Sequence, residues 1–171
     1  MGTWACDGPD ALVCEGEPTL KVPVTHEGSV SASTEYSSTF GDTFEAELSV
    51  DGDQTTSWFS SGPEPGGVPT EYIWRAPDDE CIASVTLVGN ANHDNSDFRE
   101  DFGFGQVTIQ VRETDGTVVF SEVHNLPGTP DPDVVEMPDA RGREVALLFL
   151  GHEADDCGGF SELTVEAWRT P

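Results

Sequence analysis

The chain has 171 residues, enough for one domain with a hydrophobic core of its own. Aspartate and glutamate number 33 against 7 lysines and arginines, so the formal net charge is -26. A surface this acidic repels nucleic-acid phosphates and anionic lipid headgroups, which excludes nucleic acid and membrane surfaces as expected partners. We predict a halophilic adaptation, because a carboxylate-rich surface keeps a protein soluble in high salt, where its self-repulsion is screened.

The predicted secondary structure consists of short strands. No segment shows the apolar period of a helix, and 18 glycines and 12 prolines recur along the chain. Short runs alternate between apolar and polar residues instead, and Asp115-Gly116 between two such runs is typical of a hairpin turn. In chain order, strands are predicted at residues 28–34, 71–76, 82–89, 106–111, 117–122, 133–137, 143–150 and 162–168.

This pattern indicates an all-β fold. About eight short antiparallel strands separated by turns are typical of a β-sandwich or jelly roll. Residues 28–171 are predicted to form this one domain, and the isolated domain is expected to be a monomer. Residues 1–27 do not alternate cleanly, and we interpret them as a disulfide-tethered N-terminal lead-in.

The four cysteines indicate disulfides and therefore an oxidising, extracellular location. A zinc site is the competing interpretation, but the chain has no C-x-x-C pair and its four histidines are scattered. Four cysteines allow three connectivities, and the simplest pairs the two N-terminal cysteines with each other. The residues concerned are Cys6, Cys14, Cys81 and Cys157.

The strongest local motif is Asp51-Gly52-Asp53 followed by Thr56. A tight turn at Gly52 can bring two carboxylates and the threonine oxygens together, and calcium prefers such all-oxygen sites. The spacing is not that of an EF-hand. A plain Asp-Gly turn explains the same residues equally well, so the pattern alone leaves both interpretations open.

The stretch from Val50 to Trp58 resembles the DGD-x-x-T-x-W signature of discoidin domains, also called coagulation factor V/VIII type C domains. This group includes the family 32 carbohydrate-binding modules. Residues 28–33 resemble the opening strand of the family. Residues 107–111 with Asp115-Gly116 resemble its central strand and turn, and residues 159–165 resemble its closing strand.

The resemblance implies a galactose-binding-like jelly roll with one structural Ca²⁺ where the DGD loop meets the closing strand. It also implies that Trp58 packs in the core behind that loop and is not a sugar platform. Carried over by position, the metal ligands are the side chains of Asp51, Asp53, Thr56 and Glu162 and the backbone carbonyls of Leu48 and Ser161.

The resemblance also directs attention to two loops for ligand binding, residues 90–105 and 151–160. Sugars stack on aromatic rings while planar polar groups bind their hydroxyls. Phe102 and Phe104 in the first loop are equally explained as core residues. The candidate ligand-binding residues are Asn90, Asn92, His93, Asn95, Phe98, Arg99, His152 and Phe160.

The expected function is that of a non-catalytic, calcium-stabilised carbohydrate-binding module of a secreted protein, with a polysaccharide or glycan as its partner. The chain lacks the G-x-S-x-G, H-E-x-x-H, P-loop and dinucleotide-binding motifs, so no enzyme activity is expected. A protein-binding adhesive domain and a structural spacer remain the alternatives, because a fold does not decide between them.

Overall fold

A computed structural model describes residues 20–38, 41, 43–62, 67–94, 103–126, 131–149 and 158–169, apart from the side chains of residues 138 and 139. None of the described helices is long and apolar enough to cross a membrane. Three short 3-10 helices occur, η1 (Thr25–Glu27), η2 (Ala46–Ser49) and η3 (Asn90–Asn92). The strands are β1 (Leu20–Pro23), β2 (Ser29–Ala32), β3 (Tyr36–Ser37), β4 (Thr43–Phe44), β5 (Trp58–Phe59), β6 (Thr70–Val88), β7 (Gln106–Arg112), β8 (Val118–Asn125), β9 (Asp133–Phe149), β10 (Gly159–Phe160) and β11 (Glu162–Arg169).

Two long strands, β6 and β9, build the sandwich by running through both of its layers. The two strands pair antiparallel with each other, from Thr70 opposite Phe149 at one end to Leu87 opposite Asp133 at the other. In one layer β2 pairs with residues 72–75 of β6, and β7 and β8 extend the sheet on the β9 side. In the other layer β11 joins residues 82–88 and β1 pairs with β11. The architecture is an all-β jelly-roll sandwich.

The corner between the layers lies where the register of β6 and β9 shifts, between Arg75 and Glu80 and again between Ile82 and Ser84. Gly142 lies at this corner opposite Glu80. A Cβ atom on Gly142 would be 2.6 Å from the carbonyl oxygen of Arg112, so only glycine lets β9 bend this close to the end of β7.

The predicted strand faces are confirmed by burial. Alternate residues from Val107 to Val111 are fully buried, as expected for a strand with one face on the core. The inward residues of β11 and of the second half of β9 are buried in the same way. The predicted hairpin is also confirmed, since β7 pairs with β8 and Gly116 takes a positive φ of 88°.

The predicted strand count and domain boundary need correction. Residues 71–76 and 82–89 were predicted as two strands, but β6 runs through both, and β9 likewise joins residues 133–137 to 143–150. The sandwich also begins before residue 28, because β1 pairs with β11. Residues 1–19 lie outside the described part of the chain, and so do Cys6, Cys14 and Cys157. Cys81 is buried in β6, and the disulfide pairing stays a prediction.

An aromatic cluster fills the core at one end of the sandwich. Trp58 is fully buried and lies 5.1 Å from Tyr72 and 5.3 Å from Phe160, measured between ring centroids. Phe149 and Phe104 stack on the same cluster, with centroids 4.0 Å apart. The expected core position of Trp58 is confirmed, and Phe104 is a core residue as well. The loops at this end are therefore supported on a rigid base.

Candidate functional site

The loop after η2 is held in shape by its own polar groups. Gly52 has a φ of 82°, which glycine adopts without strain. The amide of Asp53 donates to Asp51 Oδ1 at 2.8 Å. The amide and hydroxyl of Thr55 both donate to Asp53 Oδ1, at 2.9 and 2.7 Å, and they hold the pKa of this carboxyl below its usual range. The predicted turn at Asp51-Gly52-Asp53 is confirmed.

The hydroxyl of Thr56 lies at the centre of a group of oxygen atoms. Its Oγ1 is 2.8 Å from the carbonyl oxygen of Asp53, 2.9 Å from Asp51 Oδ2 and 3.4 Å from the carbonyl oxygen of Leu48. One hydroxyl proton can serve only one of these three acceptors at a time. The group therefore holds more oxygen lone pairs than protons, as a hard cation requires.

Glu162, at the start of β11, brings a second carboxylate to this loop. Burial, followed by the negative charge of Asp51, raises the pKa of Glu162 to about 7. The backbone amides of Gly52 and Asp53 oppose this rise in the pKa of Glu162. Its Oε1 atom is buried and has no hydrogen-bond partner. A buried carboxylate oxygen without a donor, facing a second carboxylate, fits a site for a cation.

The oxygen set is rich in backbone and hydroxyl groups. Within the described ranges, no three His, Cys, Asp or Glu side chains come close enough to hold a metal together. A cation at this loop would therefore depend on two carboxylates, from Asp51 and Glu162, and on neutral oxygens. Neutral carbonyl and hydroxyl ligands are ordinary for calcium.

The side chains of two residues in the predicted ligand set make hydrogen bonds outside the oxygen group. The carboxylate of Asp53 faces Thr55, whereas its backbone carbonyl faces Thr56. Ser161 is buried, and its hydroxyl donates toward the carbonyls of Val88 and Gly89, at 3.2 and 2.9 Å. In this structure the Asp53 side chain caps the turn and the carbonyl of Asp53 lies in the oxygen group, and the ligand roles expected for Asp53 and Ser161 stay predictions.

The helix η2 that precedes this loop is anchored in the core. Ser49 Oγ lies 2.7 Å from the carbonyl oxygen of Ala46 and 2.7 Å from the hydroxyl of Tyr72. Burial of the Tyr72 ring raises the pKa of its hydroxyl, so the group is neutral and can act as a donor. This buried network holds the end of η2, and with it the carbonyl of Leu48, in a defined position.

Phe160 does not form an exposed sugar platform. Its side chain is 3% exposed and packs against Trp58 and Tyr72 in the core. The physical reason is the pairing of β10 with β5, which puts Phe160 opposite Trp58. A ring in this position has no face for a ligand, so the expectation for Phe160 is wrong.

The other candidate ligand residues are divided between core and surface. Asn90 and His93 are 3% and 8% exposed, so only an edge of each faces solvent. The His93 ring stacks on Phe44, with centroids 5.7 Å apart. Asn92 is exposed, and its amide donates to Gln54 Oε1 at 3.1 Å. Asn95, Phe98, Arg99, His152 and Phe102 lie outside the described residues.

A cleft of about 400 Å³ lies beside the oxygen group. Its volume is within the range of small-molecule sites, roughly 300–1,000 Å³. Of the predicted ligand residues described here, His93 is the one that lines it. The sequence analysis did not identify the segment around β4 as part of a site, although Phe44, an aromatic residue in a long loop, was a signal for it. The cleft is lined among others by Thr43, Phe44, Leu48, Thr55, Thr56 and His93.

No protein-family model matches the chain, and no curated protein matches it in sequence. Solved structures do match it in fold. The family 32 carbohydrate-binding module of NanJ from Clostridium perfringens, in complex with galactose, has a TM-score of 0.69 and 12% identity, over 86% of this chain and 99% of that one. A second family 32 module from Clostridium perfringens, in complex with GalNAc-β-1,3-galactose, has a TM-score of 0.67 and 13% identity, over 84% and 99% of the two chains.

A third similar structure is the F5/8 type C domain of a Bacteroides fragilis protein, with a TM-score of 0.67 and 19% identity, over 90% of this chain and all of that one. These matches extend over nearly the whole length of each domain. At such low identity they compare backbones, and the resemblance seen in the motifs agrees with them. The chain therefore has the discoidin-like fold shared by F5/8 type C domains and family 32 carbohydrate-binding modules.

Proposed function

We propose that this domain is a non-catalytic carbohydrate-binding module that binds a glycan through the loops at the Trp58 end of the sandwich. The observation that carries the proposal is the match over almost the full length of a module whose structure contains galactose. A fold alone does not determine function, so a binding site on this chain must support it. The cleft beside the oxygen group, with aromatic and hydroxyl groups in its walls, is a suitable site.

The oxygen group is proposed as a structural calcium site. Asp51 and Glu162 supply carboxylates, Thr56 supplies its hydroxyl, and the carbonyls of Leu48 and Asp53 face the same hydroxyl. The observation in its favour is the buried Glu162 Oε1 atom, which has no hydrogen-bond partner. Bound calcium would supply the positive charge that two facing carboxylates need, and it would tie the loop to the start of β11. The carbonyl of Ser161 is a further proposed ligand, from the family resemblance.

Secretion, disulfide pairing and adaptation to salt belong to the same proposal. An extracellular module is consistent with four cysteines, and we expect Cys81 to pair with Cys157 and Cys6 with Cys14. Peptide mapping without reduction identifies the pairs directly. Free thiols at all four positions in protein made under oxidising conditions would refute this part.

A glycan array and a polysaccharide pull-down test the proposed function, both run with calcium. The net charge of -26 attracts basic polymers without specificity, so each assay is repeated at high salt. A defined glycan retained at high salt and lost from heat-unfolded protein supports the module. A clean negative result across neutral, basic and acidic glycans contradicts it and favours a protein partner or a spacer role.

A further inference from the structure

The cleft and the oxygen group share one wall. Leu48 and Thr56 both line the cleft, and both also contribute oxygens to the proposed calcium site. The Thr56 hydroxyl is 2.9 Å from Asp51 Oδ2. A shift of this carboxylate would therefore change a hydrogen bond of a residue that lines the cleft.

Residues 92–94, of which His93 and Asp94 line the cleft, are tied to the same loop by two hydrogen bonds. The amide of Asp94 donates to the carbonyl oxygen of Thr55 at 3.0 Å. The side chain of Asn92 donates to Gln54 Oε1 at 3.1 Å. Residues 92–94 consequently follow the loop when it moves, and His93 between them lines the cleft. The width of the cleft thus depends on the conformation of residues 48–56.

The chemistry of the walls selects an uncharged sugar. Thr43 and Thr55 offer hydroxyl groups, and the rings of Phe44 and His93, which are 2% and 8% exposed, add only a small apolar area to the walls. Among the described residues that line the cleft there is no lysine or arginine. A carboxylate or sulfate on an acidic sugar would find no positive side chain in these walls and would face the carboxylate of Asp94, which lines the cleft.

We infer that this cleft holds one neutral, hydroxyl-rich sugar unit, and that calcium bound at residues 48–56 and Glu162 raises the affinity of the cleft for it. The inference rests on the proposed function and assigns the site and its regulation. Calcium would compensate the two carboxylates of Asp51 and Glu162 and so hold the shared wall in its sugar-binding conformation. Because coupling between two binding sites is reciprocal, the sugar must raise the affinity for calcium by the same factor.

Titration calorimetry on the full chain tests this, with galactose and GalNAc-β-1,3-galactose as probes. Each is titrated into calcium-loaded protein and into protein treated with EDTA, at a temperature where circular dichroism shows both to be folded. A coupling of the usual size predicts a weakening of about fivefold or more on calcium removal. Calcium is then titrated with and without the disaccharide, and the two ratios must agree.

Two arginine variants locate the sugar. Thr43→Arg places a long side chain in the cleft from an exposed position, and it should abolish sugar binding while leaving calcium binding unchanged. Thr114→Arg is the matched control, an exposed threonine in the distant turn between β7 and β8, and should bind as the wild type does.

The outcomes separate the inference from the proposed function. Equal sugar affinity with and without calcium overturns the coupling but leaves the module intact. Sugar binding that survives Thr43→Arg places the ligand elsewhere and overturns the assignment of the cleft. Calcium-loaded protein that binds neither probe, nor any glycan of the array, refutes the proposed function and this inference with it.

Discussion

The carboxylate of Glu162 at the start of β11 faces that of Asp51, 111 residues earlier in the chain, across the loop after η2. The burial of Glu162, and then the charge of Asp51, raise the pKa of Glu162 to about 7, and no described cationic side chain is paired with either carboxylate. The cationic groups Lys21, Arg75 and Arg112 make ion pairs with glutamates elsewhere on the sheets. Without a bound cation, this contact opposes folding.

Calcium removal is expected to lower the Tm of the wild type. A ligand at one hundred times its Kd stabilises a protein by about 2.7 kcal/mol, which for a domain of this size is a Tm shift of roughly 5–10 °C. Asp51→Ala should abolish the difference between calcium and EDTA in a thermal melt. Asp115→Ala is the control, because Asp115 also caps a turn, at Thr117, but lies far from Glu162. A wild-type Tm that is the same in calcium and in EDTA contradicts the calcium proposal.

The stability of the calcium-free protein is expected to fall with rising pH. The folded pKa of Glu162 is about 7, against 4.5 as its ordinary value, so the folded state binds this proton more tightly than the unfolded state. Stability from this group is therefore fully present below pH 4.5 and is lost as pH rises to about 7. In EDTA at pH 8, Glu162→Gln should melt above the wild type.

The control for this titration is Glu122→Gln, which neutralises an exposed glutamate on β8. It should leave the pH dependence between 4.5 and 7 unchanged. In saturating calcium the stability of the wild type should no longer fall as pH rises over this range, since the cation compensates the charge of both carboxylates. A Glu162→Gln variant that melts below the wild type in EDTA at pH 8 would show that the carboxylate does not oppose folding.

Much of the fold was predictable because it is encoded by local alternation. Strict alternation of apolar residues in 107–111 and 163–167 predicts a strand with one buried face, and these residues are buried. The continuity of β6 and β9 was not predictable, since Pro77 and Gly142 interrupt the pattern and read as strand ends. Both strands bend together at that corner, and the partner strand needed for this is distant in sequence.

In the site, as in the fold, the features that depend on neighbouring residues were predictable and those that depend on distant residues were not. The turn at Gly52 depends on neighbouring residues, so the motif was sufficient to place Asp51 and Thr56. The orientation of the Asp53 carboxylate was not, because it depends on competition between Thr55 and the oxygen group. Phe160 was misplaced because Gly-Gly-Phe resembles a loop, whereas the absence of a side chain on Gly159 lets β10 pair with β5.

Truncation of Phe160 is expected to destabilise the protein and not to act on ligand binding specifically. Phe160→Ala should cost about 3–5 kcal/mol, as for other buried aromatic residues, and Phe160→Leu should cost less because it fills more of the cavity. The control Val123→Ala, on an exposed side chain, should stay within about 0.5 kcal/mol. Chemical denaturation gives these values. A Phe160→Leu variant with wild-type stability but no sugar binding would contradict the core assignment.

The stability of the wild type at neutral pH is expected to rise with sodium chloride. Self-repulsion from a net charge of -26 is screened as the Debye length falls from about 30 Å at 0.01 M to about 3 Å at 1 M salt. Surface ion pairs such as Arg112 with Glu71 weaken at the same time, but each contributes only about 0–1 kcal/mol. We expect the Tm to rise by roughly 5 °C or more over this range, given the size dependence of Tm.

The control for the salt series is the same series measured near pH 4. Near pH 4 many carboxylates are protonated, so the rise of Tm with salt should shrink. The proposal of a halophilic surface would be refuted by a Tm that stays flat or falls with salt at neutral pH.

Replacement of Gly159 is expected to disrupt the packing of β10 against β5, and with it the loop that precedes β5. A Cβ atom there would lie 1.9 Å from the carbonyl oxygen of Trp58, a backbone atom that cannot move aside without shifting β5. Gly159→Ala should therefore cost about 1–3 kcal/mol or more, as overpacking in a core does. It should also weaken the Tm shift expected from calcium, because β5 follows the loop of residues 50–56 and Glu162 lies two residues after the end of β10.

Gly105→Ala is the matched control, since a Cβ atom at Gly105 meets nothing within 4 Å. This change should be neutral or stabilise by about 0.4–1 kcal/mol, through the lower entropy of the unfolded chain. Urea denaturation of both variants, with and without calcium, measures the pair. If Gly159→Ala matched Gly105→Ala in stability, β10 could not lie as close to Trp58 as the structure places it, and the residues below the loop of residues 50–56 would have to be packed differently.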